Sequence, residues 1–296
     1  MVDNLLRLRQ ICLLANDLEW ASGVLCAAFD AQVIFRDPRM AAGGNLTNTH
    51  IRLGDSFLET VCPSDKAWAN STTQTRLLER NGDCGYMAIV QIPDVAVASR
   101  SMSQQGSKTG IVSGEWNVCS GTPGSGLSGV TSGRYQLGEL LLKKDGTVSG
   151  VNVQFHPRDF GTLAEIQENW PGHDQFPRNK GTYYPAGNTW QNDVDARPHG
   201  NVTTGFAAVE IAPREGEPAA VCQNWVKGLG AGCHVDADDP ATLHLAGGQS
   251  MRFVAPEGGR TGVVGVDLFA APGALRRFSS IDICGVTWRL VDPQPR

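Results

Sequence analysis

Four times along this chain an apolar, strand-like run recurs, followed by a segment of related layout. The first run, Leu5 to Leu14, ends at Asn16-Asp17, where Asp17 suits a helix N-cap. Leu18, Ala21, Val24, Leu25 and Ala28 then recur at helical spacing. Gln32 to Arg36, Thr47 to Leu53 and Ser56 to Val61 read as short strands, with a turn at Gly54-Asp55. The unit is therefore β-α-β-β-β. It restarts at Tyr86, with a strand from Met87 to Ile92, a cap at Asp94 and a helix begun by Val95, Val97, Ala98 and Met102. Strands over Leu137–Lys143, Val151–His156 and Thr162–Gln167 follow a Gly/Ser-rich stretch, Ser113 to Gly133, and Lys144-Asp145-Gly146 is a hairpin signal. A third start covers Phe206–Ile211, then a helix over Pro218–Leu229 and strands over Thr242–Leu245 and Met251–Ala255. A fourth, shortened start covers Val263–Phe269, and a strand over Ile283–Val291 closes the chain. A repeated unit constrains the fold strongly, because a single copy cannot bury its own apolar face and neighbouring copies must cover it.

The length agrees with pairing of the copies. At roughly 150 residues per domain, 296 residues predict about two domains. Hydrophobic residues at 41% exclude a disordered chain, and the 35 glycines fit the many tight turns that such units need. A net charge of −5 without a clustered basic face argues against nucleic acid as a partner. No apolar stretch approaches the ~18 residues that span a bilayer, so no membrane partner is expected. The amino terminus, with Asp3 and a short apolar run from Ile11 to Ala15, does not read as a signal peptide, and the expected compartment is the cytoplasm. Cys12, Cys26, Cys62, Cys84, Cys119, Cys222, Cys233 and Cys284 form no C-x-x-C pair and read as reduced, mostly buried thiols. The expected domains are 1–170 and 204–296, joined by a polar, aromatic-rich loop over 171–203.

Three phrases in order carry a family resemblance. They are Arg9-Gln10-Ile11-Cys12-Leu13-Leu14-Ala15-Asn16-Asp17-Leu18-Glu19, then Gly54-Asp55-Ser56-Phe57-Leu58-Glu59 followed by Pro63, and Phe155-His156-Pro157-Arg158-Asp159-Phe160-Gly161-Thr162-Leu163-Ala164-Glu165-Ile166. Together with the tandem units they resemble the vicinal oxygen chelate superfamily of glyoxalases, bleomycin-resistance proteins and dioxygenases. The resemblance implies an α+β fold in which paired modules form two cup-shaped open barrels, the second degenerate. It also implies a divalent-metal site on the concave face, with ligands from the first and last strands of each module.

Internal spacing identifies those positions. Gln10 lies seven residues before Asp17, Met87 seven before Asp94 and Ala207 seven before Arg214, while Glu59 and Glu165 match on the last strands. The metal candidates are Gln10, Glu59 and Glu165, and the catalytic candidates are Glu165 and Glu59. Oxygen donors suit harder ions such as Mg²⁺ or Mn²⁺. One divalent ion (Mn, Mg, Zn, Ni or Co) stands open against a pocket carboxylate satisfied without metal; no nucleotide cofactor is expected. Met87 and Ala207 at first-strand positions count against the two-His-one-carboxylate iron site of extradiol dioxygenases. Substrate-binding candidates are Met87, His156, Arg158, Trp170, His173, Tyr183 and Trp190. Tyr184 and His199 share the joining loop with the last three, and packing between domains is the competing role for these aromatics.

The resemblance implies a lyase or isomerase of glyoxalase or epimerase type, acting on a small carbonyl or oxygenated substrate in the first domain. Metal-assisted proton abstraction would be its chemistry. The alternative is a metal-free, non-catalytic small-molecule-binding protein of the antibiotic-resistance kind. A homodimer is common in folds built this way, and the sequence leaves it open.

Overall fold

In the computed structural model the described residues are 6–37, 40, 45–54, 56–92, 140–142, 148–155, 157–169, 202–230 and 232–293. Strand β1 (Arg7–Leu14) leads into α1 (Leu18–Phe29), then β2 (Val33–Phe35), β3 (Leu46–Leu53) and β4 (Ser56–Pro63). Helix α1 starts where expected: the Asp17 carboxylate accepts the Trp20 N–H at 2.9 Å. It ends at Asp30, which takes a left-handed conformation. Two helices that the sequence reading did not anticipate follow, α2 (Asp65–Ala69) and α3 (Thr73–Asn81). Ser64 and Thr72 cap them.

The second unit comprises β5 (Cys84–Gln91), β6 (Leu140–Leu142), β7 (Val148–Phe155), α4 (Pro157–Phe160) and β8 (Leu163–Asn169). The third comprises β9 (Thr203–Ala212), α5 (Pro218–Leu229), β10 (His234–Val235), β11 (Thr242–His244) and β12 (Ser250–Phe253). The fourth has β13 (Gly262–Ala270), β14 (Ser280–Ile283) and β15 (Val286–Val291). A single closing strand was expected over Ile283–Val291. The chain instead makes a hairpin, because Cys284 and Gly285 both take positive φ, 51° and 68°.

In every unit the first strand pairs in parallel with the last: β1 with β4, β5 with β8, β9 with β12 and β13 with β15. First strands pair antiparallel with each other, β1 with β5 and β9 with β13. A bridge from Val263 to Gly85 joins β13 to β5, so the fifteen strands among the described residues belong to one mixed, open sheet. The fold is thus α+β and sheet-rich. No helix among the described residues is long and apolar enough to cross a membrane.

The faces that carry α1 and α5 bury one continuous apolar core. It includes Leu8, Ile11 and Phe29 from the first unit, Val209 and Trp225 from the third, and Trp288 from the last. Trp288 meets Phe29 edge-on at 5.1 Å, and Trp225 meets Phe160 at 5.2 Å while donating to the Phe160 carbonyl. Gln249 fastens the halves through polar groups. Its Oε1 accepts from Leu8 N at 2.8 Å, and its Nε2 donates to the carbonyls of Leu8 and Phe206.

The Val263 bridge requires a residue without a side chain at position 85. A Cβ there would fall 2.1 Å from the Val263 carbonyl oxygen. Gly85→Ala should therefore part β5 from β13 and cost about 1–3 kcal/mol, the usual scale of overpacking. Gly23, inside α1, has open space where a Cβ would sit. Gly23→Ala should stabilise by roughly 0.5–1 kcal/mol. Urea unfolding of the two variants checks both signs.

Candidate functional site

Strand register decides which residues share the face opposite α1. Across the parallel pair β1–β4, Gln10 faces Phe57 and Cys12 faces Glu59. Across β5–β8, Met87 faces Leu163 and Ile89 faces Glu165. Each glutamate thus lies two residues beyond the partner of its unit's first-strand position, so Gln10 matches Met87 and Glu59 matches Glu165, as their spacing in the sequence predicted. Two bulges modify the pattern. Leu8 pairs with Val90 and Gln10 with Ile89, which makes Arg9 the extra residue of β1. Cys12 pairs with Met87 and Leu13 with Gly85, which makes Tyr86 the extra residue of β5. Tyr86 consequently packs beside Met87 rather than into the core behind it.

Glu59 sits in a cage of donors. Its Oε2 accepts from the Gln10 amide at 2.8 Å and the Cys12 thiol at 3.0 Å, and its Oε1 accepts from the Asn48 amide at 2.6 Å. Asn48 can point its amide only this way, because its Oδ1 accepts the Asp37 N–H. His50, directly opposite Glu59 on β3, brings its Nε2 to 3.7 Å from Oε1. The surroundings are apolar: Ile34, Phe57, Met87 and Ile89 are buried around Cys12, with Leu163 against them. Glu165 is itself 5% exposed.

Electrostatics hold the neighbouring acids protonated. Burial first, then the charge of Glu59 and its hydrogen bond, push the Cys12 thiol well above its usual range, and Glu165 adds to the rise. Burial likewise pushes Tyr86 up to about 12, against the hydrogen bond it accepts from Gln74. The face therefore presents carboxylates beside neutral S–H and O–H donors.

The arrangement does not fit a divalent ion held by Gln10, Glu59 and Glu165. Gln10 turns its N–H, not its oxygen, toward Glu59, and both Glu59 oxygens already accept from neutral donors. Among the described residues no three His, Cys, Asp or Glu side chains converge as metal ligands. Sequence reasoning did not single out Asn48, His50, Cys12 or Tyr86 for the site. Arg158 lies exposed on the short α4, and its neighbour Asp159 accepts from Asn224 through its carbonyl. His156, Trp170, His173, Tyr183, Tyr184, Trp190 and His199 lie outside the described residues.

The second half carries a different solution at the matching positions. Its register sets Ala208 opposite Asp267 and Phe206 opposite Leu268, so Ala207 is an extra bulge residue and Ala208 stands in the place of Gln10. Glu210, Arg252, Asp267 and Arg289 take the places of Cys12, Glu59, Ile89 and Glu165. They close into a neutral quartet. Arg252 bonds Glu210 at 2.9 Å and Asp267 at 2.6 Å, and Arg289 bonds Asp267 at 2.7 Å. Arg289 also approaches Glu210 at 2.5 Å as an ion contact. Partial burial works against the Arg289 charge, yet its bonds to Asp267 and Glu210 prevail and raise its pKa. Gly265 leaves room for the quartet, since a Cβ there would fall 2.2 Å from the Glu210 carboxylate.

No family model matches the chain, and no curated protein does. Among solved structures it is similar to a variant of Streptomyces coelicolor methylmalonyl-CoA epimerase in complex with 2-nitronate-propionyl-CoA. The identity is 15%, over 56% of this chain and 95% of that one, with a TM-score of 0.38. Mycobacterium tuberculosis methylmalonyl-CoA epimerase gives 12% identity, 58% and 93% coverage and a TM-score of 0.39. A hypothetical protein of Bacillus halodurans C-125 gives 10%, 57%, 99% and 0.37.

Glu59→Gln would turn an amide N–H toward the donors that now meet a carboxylate. It should cost about 1–3 kcal/mol through unsatisfied buried groups. It should also lower the Cys12 pKa by removing the adjacent charge, so alkylation of Cys12 at fixed alkaline pH should quicken, as followed by peptide mass spectrometry. A broader alkaline effect is also expected. Burial raises Cys84 and Cys284 to about 12 and Cys222 and Cys233 to about 11. Unfolded thiols release their protons near ~8.5 while these folded thiols retain them, so stability is full below that pH and falls as pH rises toward 11–12. Urea midpoints measured from pH 7 to 10.5 should decline accordingly.

Proposed function

We propose that the face carrying Glu59 and Glu165 binds a small carbonyl compound and moves a proton on the carbon beside its carbonyl, as an isomerase or epimerase does. One observation carries this reading. A buried glutamate, Glu165, and a half-buried one, Glu59, occupy register-equivalent positions beside apolar side chains, and Glu59 accepts from Gln10, Cys12 and Asn48. In this reading Glu165 is the base and Glu59 the fixed anion that keeps Cys12 protonated. Ile34, Phe57, Met87 and Ile89 exclude water from the reacting carbon. Tyr86, neutral to about pH 12 and accepting from Gln74, keeps its own proton to donate to the oxyanion that forms as the carbon loses its proton. Glu165 then returns the proton it took to the neighbouring carbon, which for a hydroxy-carbonyl substrate completes an isomerisation.

A second reading is a binding protein without turnover. The apolar side chains of Met87 and Ile89 at first-strand positions favour it.

One experiment separates the two. The protein is incubated in D₂O with a panel of 2-oxo acids, malonyl-type thioesters and hydroxy-carbonyl compounds. Deuterium wash-in is followed by NMR, and binding by thermal shift. Catalysis predicts wash-in for at least one ligand, reduced about 10²–10⁴-fold in Glu165→Gln with binding retained. Tight binding without wash-in selects the second reading. Wash-in undiminished by Glu165→Gln overturns the assigned base.

A further inference from the structure

We propose that the β10–β11 hairpin, at the edge of the second half, is a binding site for a borderline transition-metal dication such as Zn²⁺, Ni²⁺ or Cu²⁺, held by His234 and His244. The two residues are direct partners across the antiparallel pair. Their rings stack with centroids 5.0 Å apart and planes 27° apart, so both imidazoles stand on one side of a two-stranded ladder. His234 is exposed and His244 is 36% exposed, which gives an ion direct access.

The third member is Asp236, which orients His244 rather than binding the ion. His244 Nε2 lies 2.7 Å from Asp236 Oδ2. The carboxylate is itself fixed, because Oδ1 accepts the backbone N–H groups of Asp238 and Asp239 at 2.9 and 3.1 Å. An acceptor this well supplied assigns the proton to Nε2, and the lone pair of Nδ1 is left for a metal. A histidine that donates one ring N–H to a carboxylate and binds metal through the other nitrogen is a common arrangement in metal centres.

The turn makes the pair rigid. Asp239 caps it by accepting Ala241 N–H at 3.0 Å and the Thr242 hydroxyl at 2.7 Å, and Asp236 N–H bonds the Thr242 carbonyl at 2.9 Å. His234 then needs only side-chain rotation to bring a nitrogen to the same ion. Imidazole donors select zinc, nickel, copper or cobalt over magnesium or calcium. Two protein ligands leave the remaining positions to water or to an exogenous ligand. The site lies in the half opposite to Glu59 and does not depend on the chemistry proposed there.

The test uses the full chain without an affinity tag. Ni²⁺ and Zn²⁺ are titrated calorimetrically, and Cu²⁺ is followed by electron paramagnetic resonance for nitrogen hyperfine structure. One ion per chain with nitrogen coupling is expected. His234→Ala and His244→Ala should each weaken binding at least ~10-fold, since each removes a ligand, and Asp236→Asn about 10–100-fold. Cys233→Ser should leave it unchanged. Absence of binding overturns the proposal. So does binding that persists in both histidine variants with unaltered circular dichroism, or that vanishes in Cys233→Ser.

Discussion

Parallel pairing between the first and last strand of each unit is the constraint on which the remaining structure depends. A strand alternates its side chains strictly, so one register sets every residue that can share a face. Once Cys12 stands opposite Glu59 and Ile89 opposite Glu165, the two carboxylates belong to one surface and Leu8, Ile11 and Leu13 of β1 to the other. A slip of one residue would send Glu59 into the core beside Leu13 and Ile11. The antiparallel joint between β1 and β5 then brings two such pairs together.

Two answers to the same geometric question coexist in the chain. In the first half the half-buried Glu59 carboxylate accepts from the neutral donors of Gln10, Cys12 and Asn48. In the second, Glu210, Asp267, Arg252 and Arg289 neutralise one another. A closed ion quartet has little tendency to exchange its partners for a ligand, because each group would lose a short charged bond. The contrast lies in the side chains: neutral donors surround a carboxylate on one face, and ion pairs tie the strands together on the other.

Much of this was legible in the residues. Helical spacing from Leu18, a cap at Asp17 and the Pro218–Leu229 segment all gave the observed elements, because each signal is local. Gln10, Met87, Glu59 and Glu165 could be matched by counting, since a repeated unit carries its spacing in the sequence. What counting could not supply was the bulges. An extra residue at Arg9, Tyr86 or Ala207 changes the facing of its neighbours, and it arises from pairing between strands far apart in the chain. Asn48 and His50 escaped for the same reason: their approach to Glu59 depends on the β3–β4 register. The Cys284-Gly285 turn lacked the usual Asn-Gly or Asp-Gly signal. The caps of α2 and α3 at Ser64 and Thr72 were there to be read.

Gln249 gives the molecule a property beyond its packing. One buried amide satisfies backbone groups of Leu8 in β1 and Phe206 in β9, 241 and 43 residues away. Neither half can close its own hydrogen-bond inventory at this point. Separating the halves would take Gln249 away from the Leu8 N–H and carbonyl, and would expose the core side of Phe206 and Trp225 to water. The first half therefore completes its hydrogen bonds and its core only when the second half is folded against it.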